Sequence, residues 1–281
     1  MLNAARTLTT LRGMLPGLSP VLKRIATYVV ANPEAVIYHT VTELAEQTNS
    51  SEGSVIRFCR ELGFSGFQEL KLSVAVALNS EPDGSLYGDA SSEAAQPLEG
   101  IARRAMSALH ETVRLHDAQS TDEVAERILG ASRVDIYGVA ASAIVGQYFA
   151  YKLLRLGLAV QAFDDPHLAA MSASNLDARA VAVGISSSGS TLDTIHALRT
   201  AREAGAFTVA VVNRIKSPMH RVAMRSLLAS PPESPLTGGD TMSKISQMMV
   251  LEAVLHTIVS RRTSLSDAIQ RTARVVVDKS V

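Results

Sequence analysis

The chain has 281 residues, 47% hydrophobic and 19% charged, which is enough apolar material for one large domain or two modest ones with real cores. Its 27 basic and 27 acidic side chains give a net charge of zero, which excludes a protein steered to nucleic acid or acidic membranes by its overall charge. A small DNA-binding domain attached to a neutral remainder is still compatible with this balance. The single cysteine, Cys59, excludes an intrachain disulfide, and no apolar stretch approaches the roughly 20 residues that span a bilayer. We therefore expect a cytoplasmic protein with no membrane contact and no signal peptide.

Composition divides the chain at an acidic, irregular segment. Residues 79–100 carry five acidic residues, no basic ones, two prolines and three glycines, and they show no hydrophobic periodicity. This composition is typical of an exposed linker. We predict a helical domain over 1–80, a linker over 81–98 and an α/β domain over 99–281.

Short capped helices fill the predicted N-terminal domain. Thr40 with Glu43 three residues later is a capping box, and Ser51 caps the following helix. Ser65 with Gln68 predicts a second capping box. The helices on either side of the break TNSS are short and adjacent, which predicts a helix-turn-helix inside a small all-α domain.

The second helix of this pair, EGSVIRFCRELG, presents hydroxyls and arginines opposite its apolar face. In a recognition helix such side chains contact base edges and phosphate oxygens. The alternative is an ordinary helical bundle in which Arg57 pairs with Glu61 one turn later. Residues 1–80 hold seven Lys or Arg against six Asp or Glu, so charge does not decide between the two.

The stretch SEGSVIRFCRELGFSGFQELK (51–71) resembles the helix-turn-helix of the RpiR-type bacterial transcriptional regulators. The family pattern has a serine cap, Ser or Thr, two aliphatic residues, Arg-Phe, Leu-Gly-Phe, Gly-Phe and a lysine. The departures are Gly53, where alanine is usual, and Ser50, where an aliphatic residue is usual. The resemblance implies a DNA-reading domain with operator DNA as its partner. Its candidate DNA contacts are Thr40, Ser51, Ser54, Arg57, Arg60 and Lys71.

After the linker, apolar strands alternate with helical segments. Helical patterns cover 97–116 and 121–130, and an apolar helix covers 242–262. The alternation is typical of right-handed βαβ units. We predict an all-α helix-turn-helix domain followed by an α/β domain with a mostly parallel five-stranded sheet, a flavodoxin-type sandwich. The predicted strands are VDIYG (134–138), AVQAF (159–163), AVAVGI (180–185), TVAVV (208–212) and SLLAS (226–230).

Two loops at strand ends are candidate ligand sites, since ligands of open parallel sheets lie beyond the carboxyl ends of the strands. The loop GVAASA (138–143) approaches the dinucleotide pattern G-x-G-x-x-G, but Ala140 and Ala143 replace its second and third glycines. The stretch VGISSSGSTLDT (183–194) approaches a Walker A loop, but Ser190 replaces its lysine. No His/Cys cluster has metal-ligand spacing. We therefore predict no cofactor and no metal.

The second loop offers hydroxyls from Ser186, Ser188 and Thr191 where a helix begins. Free N–H groups and the helix dipole at such a point suit a phosphate monoester. The alternative is a Ser/Gly-rich surface turn with an ordinary helix cap.

The order of parts resembles the sugar isomerase (SIS) domain that RpiR-type regulators carry behind their DNA-binding head. The second loop of that family reads S-x-S-G-x-T, and a serine of the first loop also contacts phosphate. The resemblance implies a phosphorylated sugar or related metabolite as the effector. Its candidate ligand contacts are Ser142, Ser186, Ser187, Ser188, Gly189, Thr191 and Glu233.

These features favour a transcriptional regulator, not an enzyme, in which the effector changes operator affinity. The alternative is a phosphosugar isomerase whose helical domain mediates assembly. Such an enzyme needs a general base, for which Glu233, His167, His196 and His220 are the candidates. The helix over 242–262 is apolar on more than one face, which predicts a homodimer or homotetramer.

Overall fold

The structure is a computed structural model that describes residues 7–79, 97–231, 235–236, 239–262 and 265–277. Its residues divide into two compact units. The helical unit is Met1–Arg103 with Glu233–Asp240, and the α/β unit is Arg104–Pro232 with Thr241–Val281. The predicted linker lies outside the described residues except for its last two, where a helix begins. The predicted domain ranges stay predictions.

The helical unit consists of short helices around one apolar core. Val29, Phe58 and Leu70 are fully buried in it, and each such side chain contributes about 1.5–3 kcal/mol on leaving water. The helices are α1 (Thr7–Met14), α2 (Pro20–Ala31), α3 (Pro33–Val36), α4 (Val41–Gln47), α5 (Glu52–Glu61) and α6 (Phe67–Asn79), with a 3-10 turn at Leu15–Gly17.

Local capping determines where α4 and α5 begin. The Glu43 backbone N–H donates to Thr40 Oγ1 at 3.1 Å, and Glu43 Oε2 accepts from the Thr40 N–H at 2.8 Å. The predicted capping box is confirmed. Ser51 Oγ accepts from the Ser54 N–H at 3.1 Å, which confirms the predicted cap of α5.

The predicted Ser65–Gln68 capping box is wrong. The backbone N–H and the hydroxyl of Ser65 both donate to Glu69 Oε2, at 2.6 and 2.7 Å. The partner is one residue later than predicted because α6 begins at Phe67, which places Glu69 in its first turn.

The α/β unit contains a five-stranded sheet in the order β2-β1-β3-β4-β5, with every neighbouring pair parallel. The five predicted strands and the parallel pairing are confirmed. The strands are β1 (Arg133–Tyr137), β2 (Val160–Phe163), β3 (Ala180–Ser186), β4 (Phe207–Val212) and β5 (Arg225–Leu228). The helices are α7 (Pro97–Leu115), of which the part from Arg104 belongs to this unit, α8 (Ala118–Gly130), α9 (Ala141–Arg155), α10 (Pro166–Ser174), α11 (Leu192–Glu203), α12 (Pro218–Val222), α13 (Thr241–Arg261) and α14 (Leu265–Val277).

Helices cover both faces of the sheet, and β3 shows how the two faces differ. Val181, Val183 and Ile185 pack with residues of α8, α9 and α13. The alternate residues Ala180 and Ala182 pack with α10 and α11. Both faces of β3 are therefore buried, as the near-continuous apolar run of a central parallel strand requires. None of the described helices is long and apolar enough to cross a membrane.

A buried ionic cluster anchors β1. Asp135 is fully buried and accepts from Arg133 Nε at 2.6 Å, Ser172 Oγ at 2.5 Å and the Tyr137 hydroxyl at 3.2 Å. Burial, together with the Asp135 charge, raises the pKa of Tyr137, so its phenol stays neutral. The carboxylate is satisfied within the fold, which gives it a structural role.

The chain enters the sheet at β1, the second strand from one edge, and the next two strands lie on opposite sides of it. The switch point therefore falls between β1 and β3, where the loops after these two strands diverge. Ligands of open α/β sheets bind at such a point, beyond the carboxyl ends of the strands.

Candidate functional site

Hydrogen bonds from its own serine and threonine hydroxyls hold the loop after β3 in shape. Ser186 Oγ accepts from the Gly189 N–H at 3.1 Å and lies 2.9 Å from Thr191 Oγ1. Ser188 Oγ accepts from the Ser190 N–H at 3.2 Å. The loop therefore forms a small ring of hydroxyls between β3 and α11.

Gly189 is required at the tightest point of this loop. Its φ of +61° lies in the left-handed region, where glycine carries no steric penalty. A Cβ at this position would lie 2.3 Å from Ser217 Oγ. Its carbonyl accepts from the Met219 N–H at 2.9 Å, which ties the loop to α12.

The first turn of α11 has no side-chain cap. Thr191 is the N-cap residue, but its hydroxyl accepts no bond from the helix backbone. The first N–H groups of an uncapped helix have no intrahelical acceptor and carry the positive end of the helix dipole. This turn can therefore bind an anion with backbone N–H groups.

A lysine from a distant helix supplies a cation to the same edge of the sheet. Lys244 Nζ, in the first turns of α13, lies 2.5 Å from Ser187 Oγ and 3.4 Å from Ser142 Oγ. It thus bridges the loop after β3 and the start of α9, which follows β1. An ammonium group among hydroxyls and helix N–H groups favours a phosphate over a neutral ligand.

A buried polar network positions this lysine. Ser187 Oγ lies 3.0 Å from Ser243 Oγ and accepts from Gln247 Nε2 at 3.1 Å. Gln247 Nε2 also donates to Asn213 Oδ1 at 2.8 Å, which connects α13 to the loop after β4. Both Ser243 and Gln247 are fully buried. The network fixes the start of α13 and therefore the place of the Lys244 ammonium.

The loop after β1, which leads to Ser142, has a tightly folded backbone. A Cβ at Gly138 would lie 2.9 Å from the Ser142 carbonyl oxygen, so only glycine fits there. Ala140 has φ +51° and ψ −127°, a conformation that glycine adopts freely and that costs another residue about 1–3 kcal/mol.

The structure brings most of the predicted ligand residues together. Ser186, Ser188, Gly189 and Thr191 form the loop before α11, and Ser142 reaches the site from α9. Ser187 points away from this loop and holds Lys244 and Gln247. Glu233 lies outside the described residues.

Sequence reasoning missed Lys244, Ser243 and Gln247. The signal was present: Ser243, Ser246 and Gln247 form a polar stripe at helical spacing in a segment interpreted only as an apolar helix. All three are fully buried, and a buried polar stripe on an apolar helix indicates a site or a network. Lys244 lies directly beside that stripe.

The helical unit presents a second candidate site along α5. Ser51 and Ser54 lie at its start, with their hydroxyls 2.9 Å apart. Arg57 and Arg60 follow on its exposed side. Arg57 pairs with Glu61 at 3.4 Å, the contact that the alternative interpretation expects, but both side chains are largely exposed, so this pair contributes only a few tenths of a kcal/mol.

The turn before α5 is held by an arginine of α2. Arg24 Nε donates to the Thr48 carbonyl at 3.2 Å, and Nη2 donates to the Asn49 carbonyl at 2.9 Å. Asn49 has φ +46°, a left-handed conformation that asparagine tolerates. Arg24 therefore fixes the angle at which α5 leaves α4.

Two predicted DNA contacts lie elsewhere, in buried positions. Thr40 forms the capping box of α4 and is 3% exposed. Lys71 is 5% exposed, and its Nζ donates to the His39 carbonyl at 2.9 Å. These bonds give both side chains roles inside the helical unit, and their contact with DNA stays a prediction.

The surroundings of the cysteine and of His220 indicate structural roles for these side chains. Burial raises the pKa of the Cys59 thiol to about 12, so this thiol is a poor nucleophile. His220 Nδ1 lies 2.8 Å from Ser226 Oγ on the neighbouring strand. Within the described ranges, no three His, Cys, Asp or Glu side chains are placed to hold a metal ion.

Two family models match the chain. A helix-turn-helix domain of the rpiR family matches residues 5–81, and a SIS domain matches residues 127–257. An HTH-type transcriptional regulator of Caldanaerobacter subterraneus subsp. tengcongensis is 35% identical over 258 residues, which are 91% of this chain and 90% of that protein. Another from Haemophilus influenzae is 28% identical over the whole length of both proteins.

Solved structures share the fold. The NanR protein of Vibrio vulnificus, complexed with ManNAc-6P, superposes with a TM-score of 0.90 and 33% identity over 98% of this chain and 99% of that one. The sugar isomerase domain of an RpiR transcription factor from Sphaerobacter thermophilus matches with a TM-score of 0.57 over 64% of this chain and 98% of that one, at 22% identity.

Proposed function

Because the chain belongs to the RpiR family of helix-turn-helix transcriptional regulators with a SIS domain, we propose that its α/β unit binds a phosphorylated sugar and that this changes the affinity of α5 for operator DNA. The observation that carries the proposal is the Lys244 ammonium, held between Ser187 and Ser142 beside the uncapped start of α11. We refer to this arrangement, with the hydroxyls of Ser186, Ser188 and Thr191, as the phosphate site.

The chemistry of the phosphate site selects a monoester dianion. The helix N–H groups and hydroxyls supply neutral donors, and Lys244 supplies one positive charge. A nucleoside triphosphate would need the Walker lysine, which Ser190 replaces. The complex of Vibrio vulnificus NanR with ManNAc-6P supports a phosphosugar as the effector.

The DNA-binding half of the proposal rests on α5. Ser51, Ser54, Arg57 and Arg60 lie along one exposed side of this helix, where hydroxyls and guanidinium groups can meet phosphate oxygens and guanine edges. The weak Arg57–Glu61 pair gives way at little cost when a phosphate approaches. Operator binding by this surface implies a cytoplasmic protein.

We propose that the protein binds the phosphorylated sugar as a signal and does not convert it to another compound. The isomerase alternative requires a general base beside the sugar, and one of the candidate bases, His220, lies within hydrogen-bond distance of Ser226. Curated relatives named as transcriptional regulators support the same view. Conversion of an aldose phosphate to a ketose phosphate by the purified protein, at a rate that Lys244→Met abolishes, would establish the isomerase instead.

We also propose that the α/β units associate as a homodimer, or as a homotetramer of such dimers, through the outer side of α9. Ile144, Tyr151 and Leu154 are exposed there at helical spacing. An apolar stripe of this kind on a soluble chain is typical of an interface, and a two-fold operator matches a two-fold protein. Light scattering at micromolar concentration distinguishes the states, and a monomeric mass would contradict both.

The test is fluorescence anisotropy of the full chain on DNA from upstream of its own gene, with and without a pool of sugar phosphates at fixed salt. We expect selective binding that the pool shifts by about 5- to 150-fold, the usual range of allosteric coupling. Lys244→Met should abolish the shift and leave DNA affinity unchanged. The control Arg179→Gln removes one charge at the other end of β3 and should keep the shift.

The DNA surface has its own test in the same assay. Arg60→Gln should weaken binding similarly on all sequences and lower the slope of log affinity against log salt by about 1, because one phosphate contact is lost. Arg179→Gln again serves as the control. Binding that no α5 variant weakens would remove this half of the proposal.

A further inference from the structure

Building on the proposed function, we propose that the effector is recognised at a second point, which accepts a hydroxyl or amine of the sugar and excludes a carboxylate. This point is a pocket at the carboxyl ends of β1 and β2, and we call it the acidic pocket. Its polar side chains are Asp164, Asp165, Asp193 and Thr194. The other lining residues are Tyr137, Gly138, Val139, Phe163, Pro166 and Ala169.

The acidic pocket adjoins the phosphate site through two shared segments. Gly138 and Val139 belong to the loop that continues to Ser142. Asp193 and Thr194 lie in the first turn of α11, directly after Thr191. A ligand whose phosphate lies at the start of α11 therefore has the acidic pocket within reach of its sugar.

The buried hydroxyl of Thr194 indicates that the acidic pocket receives a ligand group. Thr194 is 2% exposed, and its Oγ1 has no hydrogen-bond partner among the described residues. Its methyl group is turned towards β3, where a Cβ at Gly184 would lie 3.3 Å from Thr194 Cγ2. Thr194 is also one of the residues that line the acidic pocket. Buried polar groups without partners are uncommon and costly, and a ligand hydroxyl would satisfy this one.

The charge of the acidic pocket selects hydrogen-bond donors. Of the residues that the structure describes, those lining it include three aspartates and no Lys, Arg or His. Asp165 is fixed in place because its Oδ1 accepts from the Leu168 N–H at 2.8 Å. Ionised carboxylates only accept hydrogen bonds, so hydroxyl and ammonium groups fit and a carboxylate is repelled.

The size of the acidic pocket limits what enters it. Its empty space of about 200 Å³ includes open solvent, and the centre of a water-sized group can occupy about 10 Å³ of it. We infer that one substituent of the sugar enters and that the ring stays outside. The rings of Tyr137 and Phe163, whose centroids are 5.9 Å apart, belong to its apolar lining.

The two points together define the effector class. Lys244 and the α11 N–H groups attract the phosphate at one end, and Asp164 and Asp193 favour a donor at the other. A neutral or amino sugar phosphate satisfies both. A sugar-acid phosphate places a second anion where the carboxylates lie, so we infer that this class is rejected.

The first experiment measures binding to the full chain by calorimetry. The probes are inorganic phosphate, glucose 6-phosphate, glucosamine 6-phosphate and 6-phosphogluconate. We expect the two sugars with neutral or cationic groups to bind at least about tenfold more tightly than 6-phosphogluconate, the factor for one lost charged contact. The double variant Asp164→Asn, Asp193→Asn should reduce this preference to below about threefold. Asp177→Asn, the control, removes a carboxylate before β3 and should keep it.

The results separate this inference from the proposed function. If no probe binds, including inorganic phosphate, the phosphate site itself is wrong. If phosphate binds but the sugars bind no more tightly, or the preference is absent or survives in the double variant, the acidic pocket has no role in recognition.

Thr194→Val provides an independent check, because valine keeps the shape and removes the hydroxyl. We expect glucose 6-phosphate to bind about three- to tenfold more weakly, with inorganic phosphate unchanged. The melting temperature should stay constant or rise, since an unpartnered buried hydroxyl is removed. A lower melting temperature with unchanged sugar affinity would mean that Thr194 is structural, and it would overturn the assignment.

Discussion

Two helices of this chain begin beside serines, and their first turns are completed differently. In α5, Ser51 Oγ accepts from the Ser54 N–H at 3.1 Å, so the protein itself caps the helix. In α11, Thr191 holds the same N-cap position but accepts no such bond, and its hydroxyl lies 2.9 Å from Ser186 Oγ. The first arrangement gives stability. The second leaves N–H groups without a side-chain acceptor, and the proposed function assigns these groups to a phosphate.

The largest expected effect comes from a substitution in the tight loop before α11. Gly189→Ala introduces a Cβ 2.3 Å from Ser217 Oγ at a φ of +61°, so we expect a loss of about 3 kcal/mol in unfolding free energy and no effector response. Urea unfolding followed by circular dichroism measures the first and DNA anisotropy the second. A variant as stable as the wild type would show that the loop is looser than described.

A substitution at Thr191 should separate binding from stability. Thr191→Val removes the N-cap hydroxyl, which makes no cap bond but lies 2.9 Å from Ser186 Oγ, so unfolding free energy should fall by only about 0.5–1.5 kcal/mol. Phosphosugar affinity should fall about tenfold, because one hydrogen bond to a charged group is lost. Titration calorimetry of the wild type and the variant gives the change in phosphosugar affinity, and urea unfolding gives the change in free energy. Thr200→Val, near the other end of α11, is the matched control and should bind normally.

At Ser51 the opposite separation is expected. Ser51→Ala removes the cap of α5 and should lower unfolding free energy by about 1 kcal/mol, with the effector affinity unchanged. Ser51→Gly also removes the hydroxyl but costs only a few tenths of a kcal/mol at an N-cap. A Ser51→Ala variant as stable as the wild type would show that the cap bond contributes little.

The smallest effect is a gain. Gly53→Ala places a methyl group 3.8 Å from Ser51 Oγ, an ordinary contact, and replaces glycine within a helix. We expect about 0.5–1 kcal/mol more unfolding free energy. Operator affinity should be unchanged, because the substitution adds no charge and removes no donor. A weaker operator affinity would place the backbone of α5 against DNA at this residue.

The comparison also shows which features were accessible from the sequence. The capping box of Thr40 and Glu43 and the cap at Ser51 were predicted correctly, because each depends on residues three positions apart. The Ser65 partner was misplaced by one residue, since Gln68 and Glu69 both suit a first turn and only the start of α6 decides between them. The strands were predicted from apolar runs that a buried parallel sheet requires.

The sequence by itself determined the local structure and the residue types of the site: the helix starts, the five strands, and the serines and glycine before α11. Only the tertiary structure decided which side chains meet. Lys244 lies 57 residues after Ser187, and packing of α13 against the sheet brings the two together. Likewise, only the packing of the helical unit shows that the Lys71 side chain is buried. Local bonds depend on neighbours along the chain, whereas these contacts depend on how whole elements pack, and that information is spread over the entire core.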